Sequence, residues 1–319
     1  MERIYFLVQQ MMFFSIPLLV VALGGMFSER SGVVNIALEG IMVMGAFCSV
    51  LFINLFEHVM SGQLFLLLAV LVAAGSGLIF SLLHAYASIN LRADQTISGT
   101  ALNMIAPAIA IYAARMLQTN GVQQVSFENT FRIQKVPLLG DIPVIGPLLF
   151  QNTYITTYLG LLILAAASLV LYKTKFGLRL RACGEHPQAA DSVGVNVYRI
   201  RYAGVMISGA LAGLGGLIFV VPTSTEFSET VSGYGFLALA VLIFGQWKPM
   251  RIFLAALFFG LMKTIASAYS GIPVLQGLGI PSDVYKMIPF FATLVVLAFS
   301  SKNSQAPRAS GVPYDKGGR

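Results

Sequence analysis

The chain has 319 residues, of which 57% are apolar and only 10% are charged, with a net charge of +7 and a mean hydropathy of +0.80. A soluble protein of this length needs more charged residues to cover its surface. The composition therefore excludes a soluble globular domain and indicates a polytopic membrane protein. Cys48 and Cys183 lack Cys-x-x-Cys spacing and the three histidines are scattered, so neither a disulfide nor a metal site is predicted.

Nine apolar segments are long enough to cross a hydrocarbon core of roughly 30 Å, which takes about 20 helical residues. The runs are continuous and do not alternate as barrel strands do, so helices are the predicted spanning form. We therefore expect an all-α fold with about nine spans, within a range of about 8–10. The predicted spans are residues 5–27, 34–56, 63–91, 95–117, 153–172, 201–221, 232–247, 251–268 and 284–300.

Polar residues inside the second span are informative because they are costly in a membrane. Asn35 and Glu39 lie four residues apart, so a helix would place both on one face. Two interpretations of Glu39 remain open. It lies near the interface and accepts hydrogen bonds from a neighbouring helix end, or it lines a path through the membrane.

The third and fourth spans carry further polar residues. Thr96, Thr100, Asn103 and Pro107 follow one another at spacings of four, three and four, which places them on one helical face. Such a stripe serves either helix packing or a translocation path. His84 in the third span is expected to be a packed, hydrogen-bonded residue rather than a proton carrier.

Residues 118–152 form a long segment between the fourth and fifth spans. Three prolines and two glycines near its end argue against regular structure, and its short apolar pieces predict that it packs on the membrane surface.

The loop of residues 173–201 is the most polar internal segment, and it holds six of the 20 basic residues. Contact with anionic lipid headgroups explains the basic residues but not the central Gly-Glu-His-Pro sequence at 184–187. The loop therefore predicts a docking surface for a cytosolic partner.

Two glycine-containing segments follow. Gly209-x-x-x-Gly213 predicts close helix packing. The span 232–247 is short and begins Ser-Gly-Tyr-Gly-Phe, which is typical of a discontinuous helix near a binding path. Its aromatic residues, Tyr234 and Phe236, either stack on a flat ligand or anchor the helix end.

The basic residues also predict the orientation. With the N-terminus outside and the C-terminus inside, 14 of the 20 basic residues fall on the cytosolic side, in agreement with the positive-inside rule. The chain then divides into a transmembrane domain of residues 1–301 and a polar cytosolic tail of residues 302–319, which we expect to be partly disordered.

Enzymatic chemistry finds little support in the sequence. A P-loop, a His-Glu-x-x-His motif and paired aspartates that would hold magnesium are all missing from it. The prediction is a transport protein that is not an enzyme and draws its energy from elsewhere.

Five motifs resemble the permeases of ABC importers of the branched-chain amino acid, ribose and nucleoside type, and the nearest in pattern are simple sugar and nucleoside permeases. The central one, Arg181-Ala-Cys-Gly-Glu-His-Pro-Gln-Ala-Ala-Asp-Ser-Val-Gly194, is similar to the cytosolic loop of that family. The others are Glu29–Gly40, Leu91–Asn103, Leu242–Pro249 and Pro313–Gly317.

The resemblance implies a type II-like ABC importer permease fold in which a short helix at about His186–Val193 sits in a groove of a cytosolic ATPase. ATP and magnesium would be bound by that ATPase, and no cofactor by this chain. The residues implied in coupling are Arg179, Arg181, Gly184, Glu185, His186, Pro187, Ala189, Ala190, Val193 and Gly194.

The resemblance also implies a second, non-identical permease subunit and a lipid-anchored binding protein outside the bacterial plasma membrane. Nucleosides are the expected cargo, with simple sugars as the alternative. An ion-coupled transporter that uses Glu39 is a further alternative, and an intramembrane enzyme is a weaker one. The candidates for lining the path are Asn35, Glu39, Thr96, Thr100, Asn103, Tyr234 and Phe236.

Overall fold

The computed structural model describes residues 2–118, 121–128, 131–268, 281–300 and 305–316. Its described regular structure is almost entirely helical. The α-helices are α1 (Glu2–Arg30), α2 (Leu38–Phe56), α3 (Gly62–Ile89), α4 (Gln95–Leu117), α5 (Ile155–Lys173), α6 (Lys175–Glu185), α7 (Pro187–Ser192), α8 (Val197–Thr223), α9 (Tyr234–Phe244), α10 (Pro249–Ala268) and α11 (Ser282–Ser300).

Among the described residues, seven helices are long and apolar enough to cross a membrane, namely α1–α5, α8 and α10. They match seven of the nine predicted spans. The seventh predicted span, residues 232–247, contains α9, which has 11 residues and is about 16 Å long, roughly half of the hydrocarbon thickness. The ninth corresponds to the 19-residue α11. The prediction of an all-helical membrane fold is confirmed.

Helix α8 is the centre of the bundle and packs against α1, α2 and α3. The close approach to α3 depends on glycine, because a Cβ at Gly77 would lie 2.3 Å from the carbonyl oxygen of Gly209 and 2.7 Å from the Cα of Gly213. A Cβ at Gly45 of α2 would likewise lie 2.3 Å from Gly213. The predicted role of Gly209 and Gly213 in close helix packing is therefore confirmed.

The segment between α1 and α2 corrects the sequence analysis. Helix α2 begins at Leu38 and not at residue 34, so Asn35 lies before the helix and shares no helical face with Glu39. Side chains satisfy the backbone of this non-helical stretch: Gln95 accepts from the Val34 amide over 2.7 Å, and His84 contacts the Val34 carbonyl oxygen over 2.9 Å. Such partners allow irregular backbone inside a membrane protein.

The loops predicted to lie outside converge at one end of the bundle. Strand β1 (Val125–Ser126) pairs with β4 (Glu226–Phe227), which lies in the loop after α8. Strand β2 (Ile133–Lys135) pairs with β3 (Gln151–Thr153). The segment 118–152 is thus more regular than expected, and its prolines lie in and around short 3₁₀ and π turns between β2 and β3.

The opposite end gathers the loops predicted to be cytosolic. The polar loop 173–201 holds two helices, α6 and α7, whereas the sequence analysis predicted one near residues 186–193. The described part of the tail, residues 305–316, packs against α6 and α8 and places Tyr314 in the interior, so the partial disorder that we expect does not include these residues.

Candidate functional site

The short helix α7 is set up by its own sequence. Pro187 occupies the first helical turn, where its missing N–H costs nothing. Val193 ends the helix and Gly194 follows with φ +85°, a left-handed conformation that favours glycine. The predicted start and stop signals of this helix are confirmed.

Helix α7 has an inner and an outer side. Pro187 and Ala190 are buried, and Ala190 packs with Cys183 and Val197 of the same chain. Ala189 is exposed, and 79% of the Val193 side chain is accessible. The helix therefore presents a small apolar tip away from the bundle.

The other residues predicted for coupling lie on or next to α6. Gly184 packs against α1, because a Cβ there would lie 2.3 Å from the Arg30 carbonyl oxygen. Glu185 lies 3.7 Å from the Arg30 guanidinium group. Arg181 lies 5.4 Å from the Tyr172 ring centroid. Two residues, Arg179 and His186, are exposed.

Within the membrane bundle, Glu39 joins two helices. Its two carboxylate oxygens accept hydrogen bonds from the Gly233 amide over 2.9 Å and from the Gly235 amide over 2.6 Å. These amides belong to the N-terminal end of α9, where Gly233 has φ +75° and precedes the helix. Of the two interpretations of Glu39, the hydrogen bond to a neighbouring helix end is confirmed.

The N-terminal end of α2 is held in a similar way by α4. The Asn103 side chain accepts from the Gly40 amide over 2.7 Å and donates to the Ile36 carbonyl oxygen over 2.9 Å. Asn35 is fully buried and donates to Ser208 of α8 over 2.9 Å. The N-terminal ends of α2 and α9 thus meet beside Glu39.

The candidates for lining the path divide by exposure. Thr96, Thr100 and Phe236 are exposed on the surface of the subunit, and half of the Phe236 side chain is accessible. Tyr234 is 1% exposed, because Phe219 lies 4.1 Å and Lys263 lies 5.6 Å from its ring centroid. Tyr234 therefore has no free face for a ligand in this conformation.

His84 behaves as expected for a packed residue. It is fully buried and lies 3.1 Å from the Ser98 hydroxyl oxygen, in addition to its contact with Val34.

One cluster that the sequence did not predict connects the polar loop 173–201 to the turn after α9. The buried Glu29 carboxylate accepts from the Trp247 indole N–H over 2.6 Å, and Arg30 donates to the Trp247 carbonyl oxygen over 3.1 Å. Since Arg30 also reaches Glu185, the last turn of α1 contacts both the polar loop and the turn after α9. Glu29 lies in the Glu29–Gly40 motif and Trp247 in the Leu242–Pro249 motif. Both residues therefore belong to segments that carry the family resemblance, and this was the sequence signal for the cluster.

Comparison with known proteins identifies the family. The family described as the permease component of the branched-chain amino acid transport system matches residues 7–297. The guanosine ABC transporter permease protein NupQ of Bacillus subtilis is 45% identical over 307 residues, which cover 96% of this chain and 95% of that protein. The nucleoside ABC transporter permease protein NupC of Lactococcus lactis is 44% identical over 311 residues, with coverage of 97% and 96%.

A putative glucose ABC transporter permease protein of Haloferax volcanii, TsgC13, is 29% identical over 310 residues, which cover 91% of this chain and 90% of that protein. No solved structure matches the chain. The family match covers most of the chain, and the relatives match it along almost their whole length. The chain therefore belongs to the family of branched-chain amino acid transport system permease components. It is a multi-pass membrane transport protein and not an enzyme.

Proposed function

We propose that this chain is a transmembrane subunit of an ATP-driven importer that carries nucleosides across the bacterial plasma membrane. The observation that carries the proposal is helix α7, a short helix packed on its inner side and exposed at Ala189 and Val193. Such a tip suits insertion into a groove of a cytosolic ATPase, which would bind the ATP and magnesium.

The full arrangement follows from this assignment. Nine segments cross the bilayer in a type II-like fold with the N-terminus outside, among them residues 232–247, which contain the short helix α9, and the segment of α11. Residues 1–301 form the membrane domain and residues 302–319 the cytosolic tail. A second, non-identical permease completes the pore, and a lipid-anchored binding protein delivers the cargo from outside.

The geometry around Glu39 supports an uncharged cargo. In transporters, the N-terminal end of a half-helix often faces an anionic group of the substrate. Here the α9 amides at Gly233 and Gly235 already donate to Glu39, so this helix end has no vacancy for the carboxylate of an amino acid. Nucleosides and simple sugars are both uncharged. The identities of 45% and 44% to a guanosine and a nucleoside permease favour nucleosides.

The path itself is proposed to run along the exposed faces of α4 and α9. Thr100 and Phe236 are accessible there, and Glu39 and Asn103 lie beneath them and hold the two helices in place. The sugar alternative uses the same architecture and is favoured only by the more distant glucose relative. An ion-coupled mechanism would require Glu39 to exchange protons, although both of its oxygens are engaged by backbone amides.

Uptake by the complete transporter in proteoliposomes tests the proposal. Labelled guanosine should accumulate only with internal ATP and external binding protein, and excess unlabelled nucleoside should compete whereas ribose and glucose should not. Competition by ribose or glucose alone would transfer the assignment to sugars. Uptake that continues without the ATPase and is abolished by Glu39→Gln would establish the ion-coupled alternative.

A further inference from the structure

The described tail, residues 305–316, forms a strap across the end of the bundle that carries α7. The Ala309 amide donates to the Gly184 carbonyl oxygen over 2.8 Å, and the Gly311 amide donates to the Gly32 carbonyl oxygen over 3.2 Å. The strap therefore contacts both the α1–α2 connection and α6. It follows a defined course although its sequence is polar and rich in proline and glycine.

Tyr314 is a buried residue of the strap. Its side chain is 4% exposed and packs with Cys183, Ala190 and Val197. Burial, together with the nearby Asp191 carboxylate of α7, raises the pKa of the Tyr314 hydroxyl group. One aromatic side chain thus joins the tail, the inner side of α7 and the beginning of α8.

Arg201 of α8 anchors the strap from below. It is 1% exposed, its Nη1 donates to the Val312 carbonyl oxygen over 3.0 Å, and its guanidinium carbon lies 5.8 Å from the Tyr314 ring centroid. Its Nε and Nη2 atoms have no hydrogen-bond partner among the described residues. A buried cation is costly without compensating contacts, so the strap supplies Arg201 with an acceptor and an aromatic face.

Helix α7 needs such a support. Helices of six residues are unstable on their own, because a single turn repays little of the entropy of nucleation. The chain leaves α7 through Gly194, whose left-handed conformation places a flexible residue between α7 and α8. Without a further contact that joins α7 to α8, a displacement of α7 would be taken up by a change in the backbone dihedral angles at Gly194.

We propose that Tyr314 is a positioning residue that couples α7 to α8, so that movement of α7 is transmitted to the central helix of the bundle. The inference rests on the proposed coupling role of α7. The Tyr314 ring contacts Tyr198 of α8 with the centroids 5.4 Å apart, and it belongs to the same buried cluster as Ala190 of α7, so it bridges Gly194. A change in the angle of α7 then turns the first part of α8.

The test uses the complete transporter in proteoliposomes and compares Tyr314→Ala with Tyr314→Phe and Val312→Ala. The phenylalanine variant keeps the ring and loses the hydroxyl group. The Val312 side chain is 54% exposed, so its truncation is a matched change in the same strap. For each variant the assembled complex, the basal ATPase rate and its stimulation by guanosine-loaded binding protein are measured.

For Tyr314→Ala, stimulation should fall about tenfold, within the range typical of coupling between sites, while assembly and basal ATP hydrolysis are retained. Tyr314→Phe and Val312→Ala should retain stimulation within about twofold. Parallel loss of assembly, basal hydrolysis and stimulation in Tyr314→Ala would show a merely structural role and overturn the proposal, as would unchanged stimulation. If loaded binding protein does not stimulate the unaltered transporter, the proposed function itself fails.

Discussion

The Trp247 indole N–H donates a hydrogen bond to the buried Glu29 carboxylate over 2.6 Å, although 218 positions separate the two residues in sequence. Glu29 belongs to the last turn of α1, and Trp247 belongs to the turn between α9 and α10. The neighbouring Arg30 contacts the Trp247 carbonyl oxygen and Glu185. A single turn of α1 therefore connects the polar loop 173–201 to the turn after α9, the helix whose N-terminal end donates to Glu39.

Trp247→Phe should destabilise the subunit, because it leaves the buried Glu29 carboxylate without its indole donor. The expected loss is about 1–3 kcal/mol in the free energy of unfolding. Glu29→Gln removes the charge from the same contact, so the double variant should lose less than the sum of the two single variants. Thermal unfolding of the three variants in detergent measures this coupling, and simple additivity would contradict the contact.

Glu39→Ala should abolish uptake, because two amides at the start of α9 would lose their acceptors inside the bundle. Each hydrogen bond to a charged group is worth about 1.5–3 kcal/mol. Glu226, an exposed acidic residue in the strand that pairs with β1, supplies the matched control Glu226→Ala, which should transport normally. Uptake of labelled guanosine, normalised to the amount of complex, distinguishes them. Normal transport by Glu39→Ala would refute the role assigned to this carboxylate.

Gly77→Ala and Gly75→Ala should behave differently although the two positions lie in the same helix. A Cβ at Gly77 would collide with the backbone of α8, whereas a Cβ at Gly75 would meet nothing within 4 Å. Gly77→Ala should cost roughly 1–3 kcal/mol through overpacking. Gly75→Ala should be neutral or stabilising by up to ~1 kcal/mol, since alanine favours the helix. The melting temperatures of the two purified variants measure this difference. Equal changes for Gly77→Ala and Gly75→Ala would contradict the close packing of α3 on α8.

Cys183 should be nearly inert to maleimides at neutral pH. Burial raises the pKa of its thiol to about 11, and the nearby Arg201 opposes this shift only in part. At pH 8 only ~0.1% of such a thiol is ionised, so Cys183 should react at least roughly 100-fold more slowly than an exposed cysteine. The comparison uses Cys48→Ser for Cys183, and Ala189→Cys without both native cysteines for the exposed thiol.

The pH dependence of Cys183 has a definite sign. Its folded pKa lies above the ordinary value of 9.0, so the protonated thiol favours the folded state below pH 9. This contribution is lost as the pH rises from 9 towards 11. Labelling rates equal to those of the exposed cysteine at pH 8 would show that the side chain is not buried.

Continuous apolar runs were sufficient to predict the membrane class and seven spanning helices, because hydrophobic length is a property of the sequence alone. Pro187 and Gly194 likewise marked the ends of α7, since both act through local backbone geometry. Hydropathy did not predict that α2 starts at Leu38. The residues before it are mostly apolar, and partners distant in sequence, Gln95, His84 and Asn103, satisfy much of their irregular backbone.

The same limit applies to the tail and to the site near Glu39. Composition predicted disorder for the tail, whereas Arg201 and Gly184 order its described residues from other parts of the chain. Glu39 was recognised as informative, but its partners at Gly233 and Gly235 become visible only when α2 and α9 are brought together. Long-range hydrogen bonds of this kind leave no periodic signal in a sequence.

The central claim is that α7 docks on a cytosolic ATPase, and site-directed cross-linking in intact membranes tests it most directly. In a background without Cys48 and Cys183, Ala189→Cys places a thiol on the exposed side of α7, and Val122→Cys places one at the opposite end, where the side chain is 45% exposed. A short bifunctional maleimide should join Ala189→Cys, and not Val122→Cys, to the ATP-binding subunit. A product from Val122→Cys alone would contradict both the coupling helix and the orientation.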